Sequence, residues 1–277
     1  MHTGRVPIDV RVGRSAAGLA YEIAGSGTPL VLVHAGVADR RMWDPQWAAF
    51  TSRHRTLRFD ARGYGETLPP AAPWAHHGDL LGLLDELGIG RAHLVGASMG
   101  AGIAAEAALA RPSAVASLVL AAPGGALYDS PTDELRSVWH DEVEALDHGD
   151  LDRAVEVNLR AWVDGPSRAP EVVDPAVRSF VGRMQRDAFE LPEWDPELAP
   201  ESELEPPAAT RFGEIRCPTL VIVGEADHAA TRTAAETLAS QVPRAELITW
   251  PDVGHMLTLE RPEAFADLVL RFTAGWS

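Results

Sequence analysis

The sequence predicts an α/β fold: a mostly parallel, eight-stranded sheet with helices on both faces and an inserted helical cap. Continuous apolar runs such as Pro29–Val33 are typical of strands that a parallel sheet buries on both faces. Helical patterns alternate with these runs, as crossovers between parallel strands require. The alternation stops once, because three helical patterns and no strand pattern lie between Pro131 and Phe189. A block of helices inside an α/β chain indicates a cap.

Eight stretches have the length and apolar content of strands. In chain order they are Val6–Arg11, Leu19–Ile23, Pro29–Val33, Thr56–Phe59, Ala92–Val95, Ser117–Ala121, Thr219–Val223 and Ala245–Thr249. The first two are joined through Gly13 and Gly18, so we expect the sheet to begin with an antiparallel pair.

Helical periodicity predicts two groups of helices. In the core they are a short segment between Met42 and Phe50, then Gly78–Leu87, Ala101–Ala110, Thr231–Gln241 and Pro262–Phe272. In the cap they are Thr132–Leu146, Leu151–Val163 and Pro175–Phe189. A Pro- and Glu-rich linker from Leu191 to Pro207 is expected to be irregular. We therefore divide the chain into an α/β core, residues 1–125 and 208–277, and a helical cap, residues 126–207, that includes this linker.

Composition excludes several classes of function. The chain has 277 residues and a formal net charge of −16, and all of its basic residues are arginine. Without lysine there is no P-loop chemistry and no Schiff base to pyridoxal phosphate or a carbonyl substrate. The acidic balance argues against nucleic acid and anionic membranes as partners, because phosphate groups are bound by clustered cations. A small-molecule substrate is the partner that composition favours.

The chain has the features of a cytoplasmic protein. No apolar run approaches the ~20 residues that span a bilayer, and Met1–Val12 lacks the apolar segment of a signal peptide. The single cysteine, Cys217, allows no internal disulfide, which fits a reducing compartment. The sequence leaves open whether the chain forms a homo-oligomer.

The segment Gly96-Ala97-Ser98-Met99-Gly100 follows an apolar strand and precedes an alanine-rich helix. Glycines two positions before and after the serine suit a sharp strand-to-helix turn, which leaves no room there for side chains. Such a turn holds the serine in a strained conformation and exposes its hydroxyl. Ser98 is therefore a candidate nucleophile, although the pentapeptide alone also fits a plain turn.

A serine nucleophile needs a histidine base and a carboxylate that orients it. Sites in open α/β sheets lie beyond the carboxyl ends of the strands, so the histidine and the acid are expected there. His255 and His34 both follow predicted strands, and so do Asp227 and Asp60. His228 cannot be the base that Asp227 orients, because adjacent side chains diverge. Position alone leaves two histidines and two acids open.

Three motifs together resemble those of the α/β-hydrolase superfamily, and the resemblance covers nearly the whole chain. Gly96–Gly100 resembles the nucleophile elbow, Gly224–Asp227 resembles the acid loop, and Gly254–His255 resembles the histidine loop. His34–Val37 with Arg41–Asp44 further resembles the small esterases and enol-lactonases with a helical lid. The resemblance implies the α/β-hydrolase fold and a serine-nucleophile enzyme.

The order serine, acid, histidine is the order of the superfamily, and it selects among the alternatives. The implied catalytic triad is Ser98, Asp227 and His255. His34 and Asp60 are then left with structural roles, and we expect Asp60 and Arg62 to form a structural salt bridge.

The same resemblance implies an oxyanion hole made of backbone N–H groups. One donor is Met99, at the start of the helix. The superfamily's second donor follows a His-Gly pair, and this chain has His34-Ala35-Gly36 instead. Gly36 is the expected donor, with Val37 as the alternative. The mechanism needs no metal and no organic cofactor.

Pocket-lining residues are harder to choose, because aromatic residues at helical spacing more often pack in a core. Cap residues with the right size are Trp139, Trp162, Met184 and Trp194. The substrate pocket is predicted to include Val37, Trp139, Trp162 and Met256.

The sequence thus predicts a serine hydrolase that cleaves an apolar carboxylic ester or lactone through an acyl-enzyme. A carbon–carbon bond hydrolase, a cofactor-free perhydrolase and a biosynthetic acyltransferase or cyclase use the same triad and stay open. A more distant alternative is a non-catalytic ligand receptor built on the same pocket.

Overall fold

The structure, a computed structural model, describes residues 9–276. Eight strands form one sheet in the order β1-β2-β4-β3-β5-β6-β7-β8. Their bounds are β1 Val10–Arg14, β2 Ala20–Ala24, β3 Pro29–Val33, β4 Arg55–Phe59, β5 Ala92–Ala97, β6 Val115–Ala121, β7 Thr219–Gly224 and β8 Ala245–Trp250. Strand β2 pairs antiparallel with β1 and with β4, and all other neighbours pair parallel. The predicted mostly parallel, eight-stranded sheet is confirmed.

Nine α-helices lie in the described part of the chain. They are α1 Asp44–Thr51, α2 His76–Glu86, α3 Met99–Ala110, α4 Asp133–Asp147, α5 Leu151–Asn158, α6 Pro175–Phe189, α7 Ala229–Gln241, α8 Leu257–Glu260 and α9 Pro262–Ala274. The predicted helices match these to within about a turn, except that the predicted second cap helix ends early as an α-helix. It continues as a π-helix over Leu159–Asp164. The single turn of α8 is too short to leave a periodic pattern.

The first strand lies further along the chain than the sequence indicated. The prediction was Val6–Arg11, of which 6–8 lie outside the described residues, whereas β1 spans Val10–Arg14. Gly13, expected in a turn, lies inside β1 opposite Tyr21. A side chain at Gly13 would meet the Tyr21 ring, so this glycine permits close cross-strand packing rather than a turn.

The sheet is covered by apolar side chains on both faces, as β3 illustrates. Val31 and Val33 pack in a cluster with residues of α2, α3 and α7. Leu30 and Leu32, which alternate with these valines along β3, pack in a second cluster on the other face of the sheet, with residues of α1 and α9. This alternation is the period-2 geometry of a strand buried on both sides.

Residues 126–207, which we call the inserted segment, lie between β6 and β7 in the chain. They contain α4, α5, the π-helix and α6, followed by an irregular stretch. Buried residues of these helices, such as Leu135 and Met184, join the apolar cluster that includes Leu30 and Leu32. The irregular stretch is tied to the core by an isolated bridge between Trp74 and Glu201.

Strand β5 lies in the middle of the sheet, between β3 and β6. Its carboxyl end is therefore at the centre of the sheet edge where α/β proteins place their sites. None of the described helices is long and apolar enough to cross a membrane.

Candidate active site

Ser98 occupies the turn between β5 and α3, in a conformation that L residues rarely adopt. Its φ is 53° and its ψ is −116°, and its backbone N–H donates to the Ala121 carbonyl oxygen on β6 at 2.9 Å. Such strain persists only where the surrounding structure holds it. Here the neighbouring strand on one side and the helix on the other hold it.

The two flanking glycines are required by close backbone approaches. A Cβ at Gly96 would collide with the carbonyl group of Gly100, and a Cβ at Gly100 would collide with the carbonyl oxygen of Val33 on β3. The Gly-x-Ser-x-Gly spacing therefore follows from packing α3 tightly against the sheet.

His255 lies between Ser98 and Asp227 and contacts both. Its Nε2 is 2.8 Å from the Ser98 Oγ, and its Nδ1 is 2.9 Å from each carboxylate oxygen of Asp227. Asp227 is fully buried and His255 is 4% exposed. Ser98, Asp227 and His255 follow strands β5, β7 and β8. The structure thus brings together the three residues that the family resemblance implies.

The surroundings of Asp227 determine which ring nitrogen of His255 carries the proton. Asp227 Oδ1 also accepts the backbone N–H of His228 at 2.7 Å, and an ionised carboxylate only accepts hydrogen bonds. Nδ1 of His255 must therefore be the donor to Asp227. The lone pair of Nε2 then faces the Ser98 hydroxyl, which is the arrangement that lets a histidine act as a base.

The loop before His255 is anchored to the inserted segment. Gly254 donates its backbone N–H to Glu260 at 3.0 Å. Arg168 holds the same carboxylate through two hydrogen bonds of 2.6 and 3.0 Å and also donates to the Val163 carbonyl oxygen at 2.8 Å. The position of the histidine loop is therefore coupled to the π-helix.

Trp162 on that π-helix covers the histidine. Its ring centroid lies 4.8 Å from that of His255 and 4.9 Å from that of His228. His228 is held in turn by a 2.8 Å contact from its Nε2 to the Ala161 carbonyl oxygen. Trp162 is 8% exposed, so this ring shields the imidazole from water.

The alternative base and acid are committed to other contacts. His34 Nε2 accepts the backbone N–H of Ala61 at 2.9 Å, and its Nδ1 is 2.8 Å from the Ala35 carbonyl oxygen. Asp60 is buried and accepts the guanidinium and the backbone N–H of Arg40. The expected salt bridge between Asp60 and Arg62 is wrong, because Asp60 pairs with Arg40 instead.

Arg62 pairs with another acid. Its guanidinium donates to both oxygens of Asp79 on α2, at 2.6 and 2.9 Å. Spacing along the chain could not reveal this, since α2 brings Asp79 beside the loop that follows β4.

The two expected oxyanion donors lie close to each other. A Cβ at Gly36 would be 3.7 Å from the Met99 Cβ. Among the described residues, no acceptor is hydrogen-bonded to the backbone N–H of Gly36, Val37 or Met99. Open N–H groups near a nucleophile are what an oxyanion hole requires.

A large cavity of about 990 Å³ adjoins the elbow, and its walls differ from the predicted pocket. Of the residues predicted to line the pocket, three are buried in the apolar cluster that includes Leu30 and Leu32, namely Val37, Trp162 and Met256. The fourth, Trp139, is 40% exposed on α4. None of the four is among the described residues that line this cavity. Trp139 lies beside the buried face of α4 rather than on it.

The cavity is formed instead between the core and the irregular stretch of the inserted segment. Its aromatic and apolar walls include Tyr64, Trp74, Met99, Ile103, Tyr128 and Trp194. Glu106 on α3 also lines it, and sequence reasoning missed that residue. The sequence feature that could have identified Glu106 is its position as the single carboxylate inside the otherwise apolar stretch Gly102–Ala110.

Among the described residues, no group of three or more His, Cys, Asp or Glu side chains is arranged to hold a metal ion. The site is therefore a hydrogen-bonded Ser98–His255–Asp227 series at the centre of the sheet edge, next to a cavity large enough for a small organic substrate.

Comparison with known proteins identifies the class. The family model described as "Alpha/beta hydrolase family" matches residues 30–268. The chain belongs to this family, which confirms the expected α/β-hydrolase fold, and it is a hydrolase.

Individual relatives span several activities. One relative is the Mycobacterium tuberculosis protein BpoC, whose name assigns it provisionally to the non-heme bromoperoxidases. It is 30% identical over 276 residues, which cover 93% of this chain and 98% of the relative. A 2-hydroxy-6-oxononadienedioate/2-hydroxy-6-oxononatrienedioate hydrolase from Burkholderia vietnamiensis is 31% identical over 198 residues, 70% of this chain and 66% of the relative. The crystal structure of the enol-lactonase from Burkholderia xenovorans LB400 superimposes with a TM-score of 0.71 at 25% identity and 96% coverage of each chain.

Proposed function

We propose that this protein is a serine hydrolase that cleaves a carboxylic ester or lactone of a small molecule through an acyl-enzyme. The observation that supports the proposal is the unbroken hydrogen-bonded series from the Ser98 Oγ through His255 to Asp227, at 2.8 and 2.9 Å. Nucleophile and base within hydrogen-bond reach, with the base oriented by a third group, are the arrangement that nucleophilic acyl transfer needs.

In the proposed reaction Ser98 attacks the carbonyl carbon while His255 Nε2 accepts the hydroxyl proton. The tetrahedral oxyanion is held by the backbone N–H groups of Met99 and Gly36. His255 returns the proton to the leaving alcohol oxygen, and Asp227 stabilises the imidazolium and fixes its tautomer. Water, deprotonated by His255, then attacks the acyl-enzyme. His255 gives that proton to Ser98 Oγ as the acyl–oxygen bond breaks, which releases the acid and restores the free serine. No step calls for a metal or a cofactor.

We further propose that residues 126–207 act as a cap over a core formed by residues 1–125 and 208–277. Two features support this role: Trp162 packs on the catalytic histidine, and the irregular stretch forms one wall of the cavity beside the elbow. Shielding the site from water strengthens its electrostatic interactions and protects the acyl-enzyme.

The likeness to an enol-lactonase supports an ester or lactone substrate. The dioate named for the Burkholderia vietnamiensis relative carries two carboxylates, and acidic side chains line the cavity here, so that substrate is disfavoured on electrostatic grounds. Perhydrolysis and acyl transfer differ from hydrolysis only in the acceptor. Product analysis with water, hydrogen peroxide plus bromide, and alcohol acceptors distinguishes them.

The test is replacement of Ser98 by Ala, assayed with p-nitrophenyl esters of increasing acyl length. We expect loss of hydrolysis, with a melting temperature close to that of the wild type, because Ala occupies the same strained backbone conformation and no packing is lost. Labelling of the wild type, but not of the variant, by a fluorophosphonate would separate an enzyme from a non-catalytic receptor. Full activity in the Ala variant would contradict the proposal.

A further inference from the structure

The cavity beside the elbow combines aromatic walls with carboxylates that, in the described part of the chain, have no arginine counter-ion. Its acidic lining residues among those described are Glu106, Asp129, Glu193, Glu201 and Glu203. Arg62 is the one arginine among the described lining residues, and Asp79 already neutralises it through two hydrogen bonds. The cavity therefore carries an excess of negative charge.

Glu106 is the most informative of these acids. The residue is only 7% exposed, and no described group donates a hydrogen bond to its carboxylate. Its ion-pair contact is with Nδ1 of His77 at 3.6 Å, longer than a hydrogen bond. Neither carboxylate oxygen is among the described side-chain atoms that are both fully buried and unpaired. The carboxylate is therefore open to the cavity, where a bound cation can pair with it.

The second acidic group, Glu201, lies on the opposite wall. The backbone of Trp74 pairs with Pro200 and Ser202, which fixes Glu201 over the cavity. Burial, together with the charges of Glu106 and Glu203, raises the pKa of Glu201 to about 6. Burial lowers the pKa of the adjacent His76 to about 3, so His76 is neutral and supplies no balancing charge.

The two tryptophans of the aromatic wall share one hydrogen-bond acceptor. The indole N–H groups of Trp74 and Trp194 both donate to the Ala199 carbonyl oxygen, at 3.2 and 2.8 Å. The two rings meet edge to face with centroids 5.7 Å apart. The Arg62 guanidinium already lies over the Trp74 ring, 6.0 Å from its centroid. A tryptophan beside carboxylates, as Trp194 is in this cavity, provides surroundings that bind organic ammonium ions. The carboxylates are not grouped to hold a metal ion in the described chain, which favours a large, soft cation.

We propose that this cavity binds an organic ammonium group carried by the substrate, a specificity that rests on the proposed ester or lactone hydrolysis. Met99, Ile103 and Glu106 are spaced by four and three residues, so they lie on one face of α3. Met99 and Glu106 are seven positions apart on this helix, so their backbones are separated by a rise of about 10 Å. We therefore expect a cation paired with Glu106 to lie on the order of 10 Å from the carbonyl carbon that Ser98 attacks.

Matched substrate pairs test this specificity. One series is p-nitrophenyl esters of ω-trimethylammonio acids with spacers of increasing length, and a second carries the cation on the alcohol. Each member is paired with an isostere in which a tert-butyl group replaces trimethylammonio. We expect kcat/KM to favour the cation by about tenfold or more, with the optimum at the spacer that spans about 10 Å.

Two variants locate the site. Glu106→Gln keeps the shape of the side chain but removes its charge, and Trp194→Leu removes an aromatic face at a position that is 42% exposed. Both should reduce the ratio of cationic to neutral kcat/KM. Glu236→Gln makes the same change of net charge on α7, at an exposed residue outside the cavity, and should leave that ratio unchanged.

Binding of tetramethylammonium to the Ser98→Ala protein, measured by calorimetry, is independent of turnover. If no ester is hydrolysed but tetramethylammonium binds and Glu106→Gln weakens the binding, the proposed chemistry fails while the cation site stands. If esters are hydrolysed but neutral isosteres react as well as cationic ones at every spacer, the cation site is overturned. Absence of tetramethylammonium binding would overturn it as well.

Discussion

Replacing Arg168 by Met tests whether its ion pair with Glu260 holds the histidine loop in place. The two side chains are only 9% and 12% exposed, and they are joined by hydrogen bonds of 2.6 and 3.0 Å. Glu260 also accepts the backbone N–H of Gly254, the residue before His255. The variant leaves a buried carboxylate without its counter-ion, directly beside the catalytic loop.

Removing one partner of a buried ion pair costs about 3–5 kcal/mol, because the remaining charge stays in a poorly solvated place. For a chain of this size each kcal/mol shifts the melting temperature by about 2–4 °C, so we expect a decrease of roughly 6–20 °C. The double variant Arg168→Met with Glu260→Gln should recover much of that loss. Its amide oxygen still accepts the Gly254 N–H, and no buried charge remains.

The assay is thermal unfolding combined with initial rates of ester hydrolysis. The matched control is Arg136→Met, which breaks an exposed pair with Asp133 on α4 and should leave the melting temperature unchanged. We expect a lower kcat in Arg168→Met, since a loosened loop positions His255 less well. If Arg168→Met unfolds at the wild-type temperature, or the double variant is less stable than the single one, the ion pair does not anchor this loop.

Three further outcomes follow from the structure. Asp227→Asn should lower kcat by on the order of 10⁴. The Asn oxygen must face the backbone N–H of His228, so its NH₂ group meets Nδ1 of His255. That contact favours the tautomer with the proton on Nε2, which cannot accept the proton of Ser98. Stability should fall as pH drops from about 6.5 towards 4, because burial lowers the pKa of His93 to about 4 and the pKa of His76 to about 3, so the unfolded chain then binds more protons than the folded one. In urea titrations His93→Asn should reduce this slope, and the contribution of His76 should remain. Burial raises the pKa of the Cys217 thiol to about 11, so at pH 8 iodoacetamide should label the native protein about 100-fold more slowly than the urea-unfolded chain.

The elements that sequence could predict are those whose pattern is imposed locally. Gly96 and Gly100 are dictated by backbone contacts within one strand-turn-helix unit, so their spacing is visible in the chain. Buried parallel strands such as β3 are continuous apolar runs for the same reason. The edge strand β1 is largely exposed, so its apolar content is low and its position was misjudged by about four residues.

The cavity could not be predicted because its walls come from distant and irregular segments. Trp74 and Glu201 are brought together by a single backbone bridge, and neither lies in a periodic pattern that would predict the contact. The prediction of pocket residues instead favoured helical aromatics such as Trp139, whose exposure depends on how α4 is rotated against the core. Trp162 has a contact that spacing could not predict, since the π-helix turns its ring onto His255.

Helix α3 carries both the nucleophile elbow and the buried acid of the cavity, which constrains how specificity can change. Residues 100–109 of this helix are buried throughout, and most are Gly or Ala packed closely against the sheet, so the distance from Met99 to Glu106 is fixed. The facing wall, with Trp194 and Glu201, belongs to an irregular stretch whose backbone makes few ties to the core. Substitutions in that wall can therefore alter which substrates bind without moving Ser98, whereas substitutions along α3 disturb binding and chemistry together.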